Sequence, residues 1–282
     1  PGNTVICPAI SYLATAEAIK RTGATIQFVD VDENGLIGDI PMMGLPSAVV
    51  YVNLFGNLAD YDRLRNYCDK HKIPLIEDAA QSLGSFYKKI PSGKLGDISS
   101  LSFAPSKPLP CFGNGGMVLT DNESEADFVR SIRYHGTGTA KLHHGYNSCL
   151  SNDHANILNF LLSKYKKLLS KTEKLRRSYD KKLSKLGIST LTTQYKTVSN
   201  NHKLVIKAQD RDGLKMYLDG KGIQTQIHYV SPLSKMKMFY THDQMPNADR
   251  FCEDILSLPI HPFLEENEVA YVCKCIGEFY GV

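Results

Sequence analysis

Lys107 lies in the run Ser102-Phe103-Ala104-Pro105-Ser106-Lys107-Pro108-Leu109-Pro110, just ahead of the glycine cluster Gly113-Asn114-Gly115-Gly116. A separate apolar run ends in Glu77-Asp78-Ala79-Ala80-Gln81. A lysine on the loop after one strand, with an acid at the end of another, suits one chemistry in particular. The lysine forms a Schiff base with pyridoxal 5'-phosphate, and the acid keeps the cofactor's pyridinium nitrogen protonated. Burial lowers a lysine's pKa and so fits it to act as nucleophile and proton carrier. Asp78 has a plainer reading as the cap of a helix that starts at Ala79. Gln81, three residues on, lies one helical turn away and can bond the cofactor's phenolic oxygen. Ser102 offers a hydroxyl to a phosphate oxygen, and Tyr12 a ring to stack on the pyridine. Taken singly, each of these residue types is more often structural.

Such residues need a scaffold that gathers them. Val5-Ile6-Cys7, Ile26 to Val29, Ala48 to Leu54, Leu75-Ile76, Ile98 to Phe103 and Met117 to Thr120 read as strands. Ala14 to Arg21, Asp60 to His71 and Glu123 to Tyr134 read as helices, the first stopped by Gly23. The alternation implies an α/β fold, a mostly parallel sheet with helices on both faces. Ligands of such sheets bind beyond the carboxyl ends of the strands, where Asp78 falls.

Asp153 to Leu186 is a long lysine-rich helical stretch with an apolar stripe of Leu158, Leu161, Leu162, Leu168 and Leu169. From about Ile188, Lys203 to Lys207 and Gln224 to Tyr229 read as strands, and Asp210 to Lys221 and Asn267 to Phe279 as helices. The expected division is a large α/β domain over 1–152, a linking helix over 153–187 and a small α+β domain over 188–282.

Bulk properties exclude several classes. The 282 residues are 42% apolar and 22% charged, ordinary for a globular protein. A net charge of +4 argues against a dedicated nucleic-acid binder. No apolar run approaches the roughly 20 residues of a membrane span. The seven cysteines are scattered and odd in number, which reads as free thiols in a reducing compartment, the cytoplasm. No metal site is expected. The chain starts at Pro1 without Met and enters a strand almost at once, as if inside a fold.

Ordered motifs carry a resemblance from end to end. They are Thr4 to Thr15, Phe28 to Asp32, Ile76 to Ser85, Gly96-Asp97, the Lys107 segment, Arg133 to Gly136, Gly145-Tyr146-Asn147-Ser148, Ile227-His228-Tyr229 and Leu256 to Pro259. The chain resembles the sugar-nucleotide aminotransferases of the DegT type, with the aspartate-aminotransferase-like fold (fold type I of the pyridoxal-phosphate transferases). The resemblance implies that Lys107 carries pyridoxal 5'-phosphate and moves the proton, and that Asp78 holds the ring nitrogen. Gln81 would hold the ring hydroxyl, Ser102 the phosphate and Tyr12 the ring face. Asn147 would complete the phosphate pocket of the neighbouring subunit in a homodimer. His228 would face the sugar-nucleotide or a subunit boundary, or simply pack.

Glutamate would donate the amino group and a nucleotide-linked keto sugar accept it. Some relatives have His at the lysine position and remove a hydroxyl instead, a chemistry that Lys107 opposes. The sequence departs from the family at Cys149, at Ser151 to His154 and at Asn114. The family's upstream Gly-Thr/Ser turn, whose helix end binds phosphate, is expected to precede Pro1. Two rival readings differ in class. One is a non-catalytic dimer scaffold lacking a complete cofactor pocket. The other is a nucleic-acid binder that uses Lys164, Lys166, Lys167 and Lys171.

Overall fold

A computed structural model of the chain describes residues 1–41, 44–138, 144–192 and 197–282. The first half runs β1 (Thr4–Pro8), α1 (Leu13–Arg21), β2 (Thr25–Val29), β3 (Ala48–Val52), α2 (Tyr61–His71) and β4 (Leu75–Asp78). It continues through β5 (Phe86–Tyr87), β6 (Ile90–Pro91), β7 (Ile98–Ser102), β8 (Gly116–Thr120) and α3 (Glu123–Ile132). The long helix α4 (Asn152–Leu183) follows. The remainder is β9 (Thr197–Val198), β10 (Leu204–Lys207), α5 (Arg211–Gly220), α6 (Pro246–Asp254), β11 (Ile255–Leu258) and α7 (Glu266–Tyr280).

The main sheet has the order β2-β1-β3-β4-β7-β8. All its pairs are parallel except β7 with β8. Parallel strands covered on both faces become continuously apolar, and β3 is buried along its whole length. Helix starts follow local capping chemistry. The Asp60 side chain accepts from the Arg63 N–H at α2, Asn122 from Ser124 and Glu125 at α3, and Ser151 from His154 at α4. Tyr12 precedes α1 without using its side chain as a cap, so its ring is free for other work.

β4 decides where the chemistry lies. Successive side chains of a strand point to opposite faces, so Glu77 and Asp78 diverge. Glu77 is fully buried and accepts from the Asn53 amide (2.8 Å), the Ser92 hydroxyl (2.7 Å) and the Ser99 hydroxyl (2.9 Å). It also accepts from the N–H groups of Gly93 and Leu95. This cluster bonds β4 to β7, whose Ser99 sits opposite Glu77 in the register.

A second sheet pairs β10 with β11 antiparallel, and β5, β6 and β9 form a small third one. Helix α4 spans two apolar clusters. Leu158 and Tyr165 pack with Leu101 and Phe103, whereas Leu175, Tyr179 and Leu183 pack with β10, β11 and α7. The buried positions Leu158, Tyr165, Thr172 and Tyr179 recur every seven residues, while Leu162 of the expected stripe is exposed. Lys164, Lys166, Lys167 and Lys171 are exposed. The core of the main sheet also takes in Leu233, Phe239 and Phe251 from far downstream.

Two expectations change. Gln224 to Tyr229 is not a strand; its backbone meets the second sheet at the Gln226–Ser257 bridge, and the His228 ring bonds the Ser257 hydroxyl. After that bridge residues 226–229 leave the free edge of β11 and line a cavity with their side chains. Helix α6 and strand β11 were not expected. The carboxylate of Asp30 caps α6 by accepting from the N–H groups of Asn247 and Ala248, a contact no local pattern announces.

Replacing the Glu77 carboxylate would strand several buried donors at once. Each buried donor left without a partner costs about 1–3 kcal/mol. We expect Glu77→Ala to lose about 3 kcal/mol or more in urea unfolding. A loss below about 1 kcal/mol would show that the cluster does not anchor β4.

Candidate active site

The cavity at the carboxyl ends of β1, β4 and β7 has a volume of about 960 Å³. Of the residues expected at a site, Tyr12, Asp78, Gln81, Ser102, Lys107 and His228 all line it. Asn147 does not. It is exposed and bridged to Tyr134, away from the cavity of its own chain.

Each side chain is held by its surroundings. Asp78 ends β4, accepts from the Thr15 hydroxyl at 2.7 Å and takes the Ala80 N–H at 3.1 Å. Thr15 sits in the first turn of α1, three residues after Tyr12, and a second bond to Ser11 steadies it. The Gln81 carbonyl oxygen accepts from the Phe55 N–H at 2.8 Å, and its amide nitrogen donates to the Tyr229 hydroxyl at 3.3 Å. That pairing fixes the amide orientation and leaves a second amide hydrogen free.

Phe55 is buried in a left-handed conformation (φ 61°), an uncommon state for a residue with a side chain. The next residue, Gly56, has φ 92°, and a Cβ there would lie 1.9 Å from the Asn200 side chain. Asn200 in turn donates to the carbonyls of Gln81 and Leu83.

Lys107 rides on a loop closed at its base by bonds from Phe103 to Gly115 and from Cys111 to Phe103. Its own N–H turns back to Ala104. The ammonium lies 6.0 Å from the centre of the Tyr12 ring, and that ring is 53% exposed, open to a ligand face. Burial pulls the Lys107 pKa below the usual lysine range, and the Asp78 carboxylate opposes the shift. Among the described residues the Ser102 hydroxyl accepts a long 3.4 Å contact from the Ala104 N–H and donates to none, so its proton can turn to a ligand.

Sequence reasoning assigned no role to four other residues here. Thr15, His202, Lys203 and Tyr229 also line the cavity. Thr15 could have been found from its place one turn after Tyr12. His202 and Lys203 carry no local signal, because the fold alone brings their segment to Phe55. Burial, with the charges of Lys203 and Lys107, lowers the pKa of His228 to about 4. The same causes hold His202 well below the ordinary histidine range. Burial pushes the Tyr229 phenol up to about 12. At neutral pH the imidazoles are uncharged and the phenol keeps its proton.

The residues fit pyridoxal 5'-phosphate. A fixed carboxylate with spare acceptor capacity can take a ring N–H, and an oriented amide with a spare donor can take a ring oxygen. A free hydroxyl can take a phosphate, and a desolvated amine faces the same space. Among the described residues, no group of three or more His, Cys, Asp or Glu is placed to hold a metal ion, and no helix is long and apolar enough to cross a membrane.

Comparison with known proteins identifies a family. The sequence pattern of the DegT/DnrJ/EryC1/StrS aminotransferase family matches residues 1–277. The chain is 32% identical over 285 residues to a UDP-2-acetamido-2-deoxy-3-oxo-D-glucuronate aminotransferase of Pseudomonas aeruginosa, covering 98% of this chain and 79% of that one. It is 34% identical to a UDP-N-acetyl-3-dehydro-alpha-D-glucosamine 3-aminotransferase of Acidithiobacillus ferrooxidans, covering 98% and 77%. The crystal structure of S. venezuelae DesV in complex with a ketimine intermediate superposes with a TM-score of 0.92 at 31% identity, covering 99% and 78%.

The neutral state of His228 links stability to pH. An unfolded chain protonates this histidine near its ordinary value of 6.5, whereas the folded chain resists down to about 4. The unfolded state therefore binds more protons in that window, and stability falls as pH drops from 6.5 to 4. We expect His228→Asn to flatten part of this fall in urea midpoints, with His202 supplying the rest. An unchanged slope would contradict the shift.

Proposed function

We propose that the cavity is the active site of an aminotransferase acting on a nucleotide-linked keto sugar; the chain belongs to the DegT/DnrJ/EryC1/StrS aminotransferase family, and its cofactor is pyridoxal 5'-phosphate. One observation carries the reading. Lys107, from the loop after β7, and Asp78 and Gln81, from the end of β4, face one cavity.

Pyridoxal 5'-phosphate, when bound, supplies an electron sink that lets an amino group pass from a donor to an acceptor carbon. The chain supplies the rest. Asp78, aimed by Thr15, holds the ring nitrogen in its protonated state. Gln81, aimed by the Phe55 N–H, donates to the ring hydroxyl. Tyr12 covers a ring face, and Ser102 bonds the phosphate. Lys107 would hold the cofactor covalently, and its amine would be the group that moves the proton at the reacting carbon. Its lowered pKa suits this task, since a neutral amine is both nucleophile and base. His228, bonded to Ser257 at 2.8 Å, faces the sugar side as an uncharged group.

The two relatives are named for UDP-linked oxidised sugars, which supports a nucleotide-linked keto sugar as acceptor. Glutamate is the donor we propose, on the family resemblance. A homodimer is proposed as well, with Asn147 reaching the partner's phosphate pocket. Its exposure, and the exposed Phe112, Phe128 and Phe160, support a surface covered by a second copy. Seven cysteines without a disulfide support a cytoplasmic setting. The expected domain division is proposed on the same footing.

Purified protein incubated with cofactor is expected to show a visible absorption band that borohydride bleaches, and Lys107→Ala to abolish it. Wild-type protein without such a band would overturn the reading. With the band present, a mixture of glutamate and keto sugar-nucleotide should yield amino sugar-nucleotide.

A further inference from the structure

The cavity contains a second cation that the proposed chemistry does not use. Lys203 lines it beside His202 and His228, and it comes from a segment distant in sequence from Lys107. Its backbone is held firmly. The Lys203 N–H donates to the carbonyl of Phe55, whose own N–H orients Gln81. Three residues earlier, Asn200 is bonded to Ser85, Gln81 and Leu83 and fills the space that Gly56 leaves open. The peptide of Phe55 therefore sets the cofactor-facing amide and the lysine from its two sides.

No acid is assigned to this lysine. Among the described residues its side chain has no ion pair, and Asp78 is the only carboxylate lining the cavity. Asp78 is committed to Thr15, Ala80 and the cofactor nitrogen. The charges that act on Lys203 are unfavourable, since burial and the nearby Lys107 both lower its pKa. His202 and His228, its neighbours, remain neutral and neither repel nor neutralise a ligand. A half-buried cation without an ion pair among the described residues is costly, and an arriving anion would offset both the desolvation and the repulsion.

We propose that Lys203 is the carboxylate receptor of the active site, binding an acid group on a substrate close to the reacting carbon. The inference rests on the aminotransferase reading and deepens it. Two substrates could present that acid, the amino-acid donor or a sugar acid. A carboxylate is favoured over the diphosphate of a sugar-nucleotide because the charge of Lys107 reaches Lys203, which puts both lysines at the reacting end of the cavity, where a carboxylate can sit one bond from the reacting centre.

The test titrates cofactor-loaded protein with glutarate, which mimics the donor but cannot react, and with glucuronate, which mimics a sugar acid. Wild-type, Lys203→Met and Lys203→Arg proteins are compared by calorimetry. A charge-assisted hydrogen bond is worth about 1.5–3 kcal/mol, so Lys203→Met should weaken one acid by roughly 10- to 100-fold. Lys203→Arg should restore most of the binding, and the acid affected identifies the substrate. The Michaelis constant of that substrate should rise in Lys203→Met, with turnover and cofactor affinity little changed.

Equal binding in wild type and Lys203→Met, or no binding of either acid to wild type, would overturn the proposal. So would loss of cofactor from Lys203→Met, which would place the lysine on the cofactor phosphate. An equal loss with a keto sugar-nucleotide that bears no acid would assign it to the diphosphate. Absence of the borohydride-sensitive band in wild type would instead sink the aminotransferase reading. Acid binding to cofactor-free protein would still score Lys203 in that case.

Discussion

Two adjacent carboxylates, Glu77 and Asp78, are sent to opposite faces by the alternation of a single strand, and the site follows from that separation. Glu77 enters a buried cluster that binds β4 to β7 and to the loop around Ser92 and Gly93. Asp78 is thereby presented at the carboxyl end of β4, where Thr15 at the start of α1 receives it. A shift of one residue in this strand would exchange the two acids and bury the wrong one. The anchoring acid thus protects the placement of the working one.

A second constraint reaches the site from the other side. The Phe55 peptide joins Gln81 and Lys203, and its left-handed backbone is kept by bonds on both sides of it. Through it, the segment near residue 200 becomes a wall of the cavity rather than a neighbour of it. Residues 226–229 continue that wall, with Tyr229 touching Gln81 and His228 bonded to Ser257. The electrostatic outcome is a pocket that keeps imidazoles neutral and lowers lysines, a setting suited to proton transfer at an amine.

Much of this was legible in the sequence, for physical reasons. Alternating strands and helices are written in local periodicity, and Asp78, Ser102 and Tyr12 stand at strand ends, where sheets of this type bind ligands. Gln81 follows Asp78 by one turn. What escaped depends on distant contacts. The cap of α6 is Asp30, more than 200 residues upstream. Residues 224–229 have strand-like composition, yet their backbone meets β11 in a single bridge, and the side chains of 226–229 serve the cavity. Lys203 looks like any strand-flanking lysine until the fold folds it inward. Tyr165 and Tyr179 outrank Leu162 on α4 because burial there repeats every seven residues.

The proposed chemistry depends most on the Asp78 carboxylate meeting the ring nitrogen of a cofactor anchored at Lys107. Nuclear magnetic resonance of the protein loaded with ring-¹⁵N-labelled pyridoxal 5'-phosphate tests this directly. The account predicts a protonated pyridinium signal in wild type near neutral pH, and an unprotonated one in Asp78→Asn. An unprotonated ring nitrogen in the wild-type protein would contradict it.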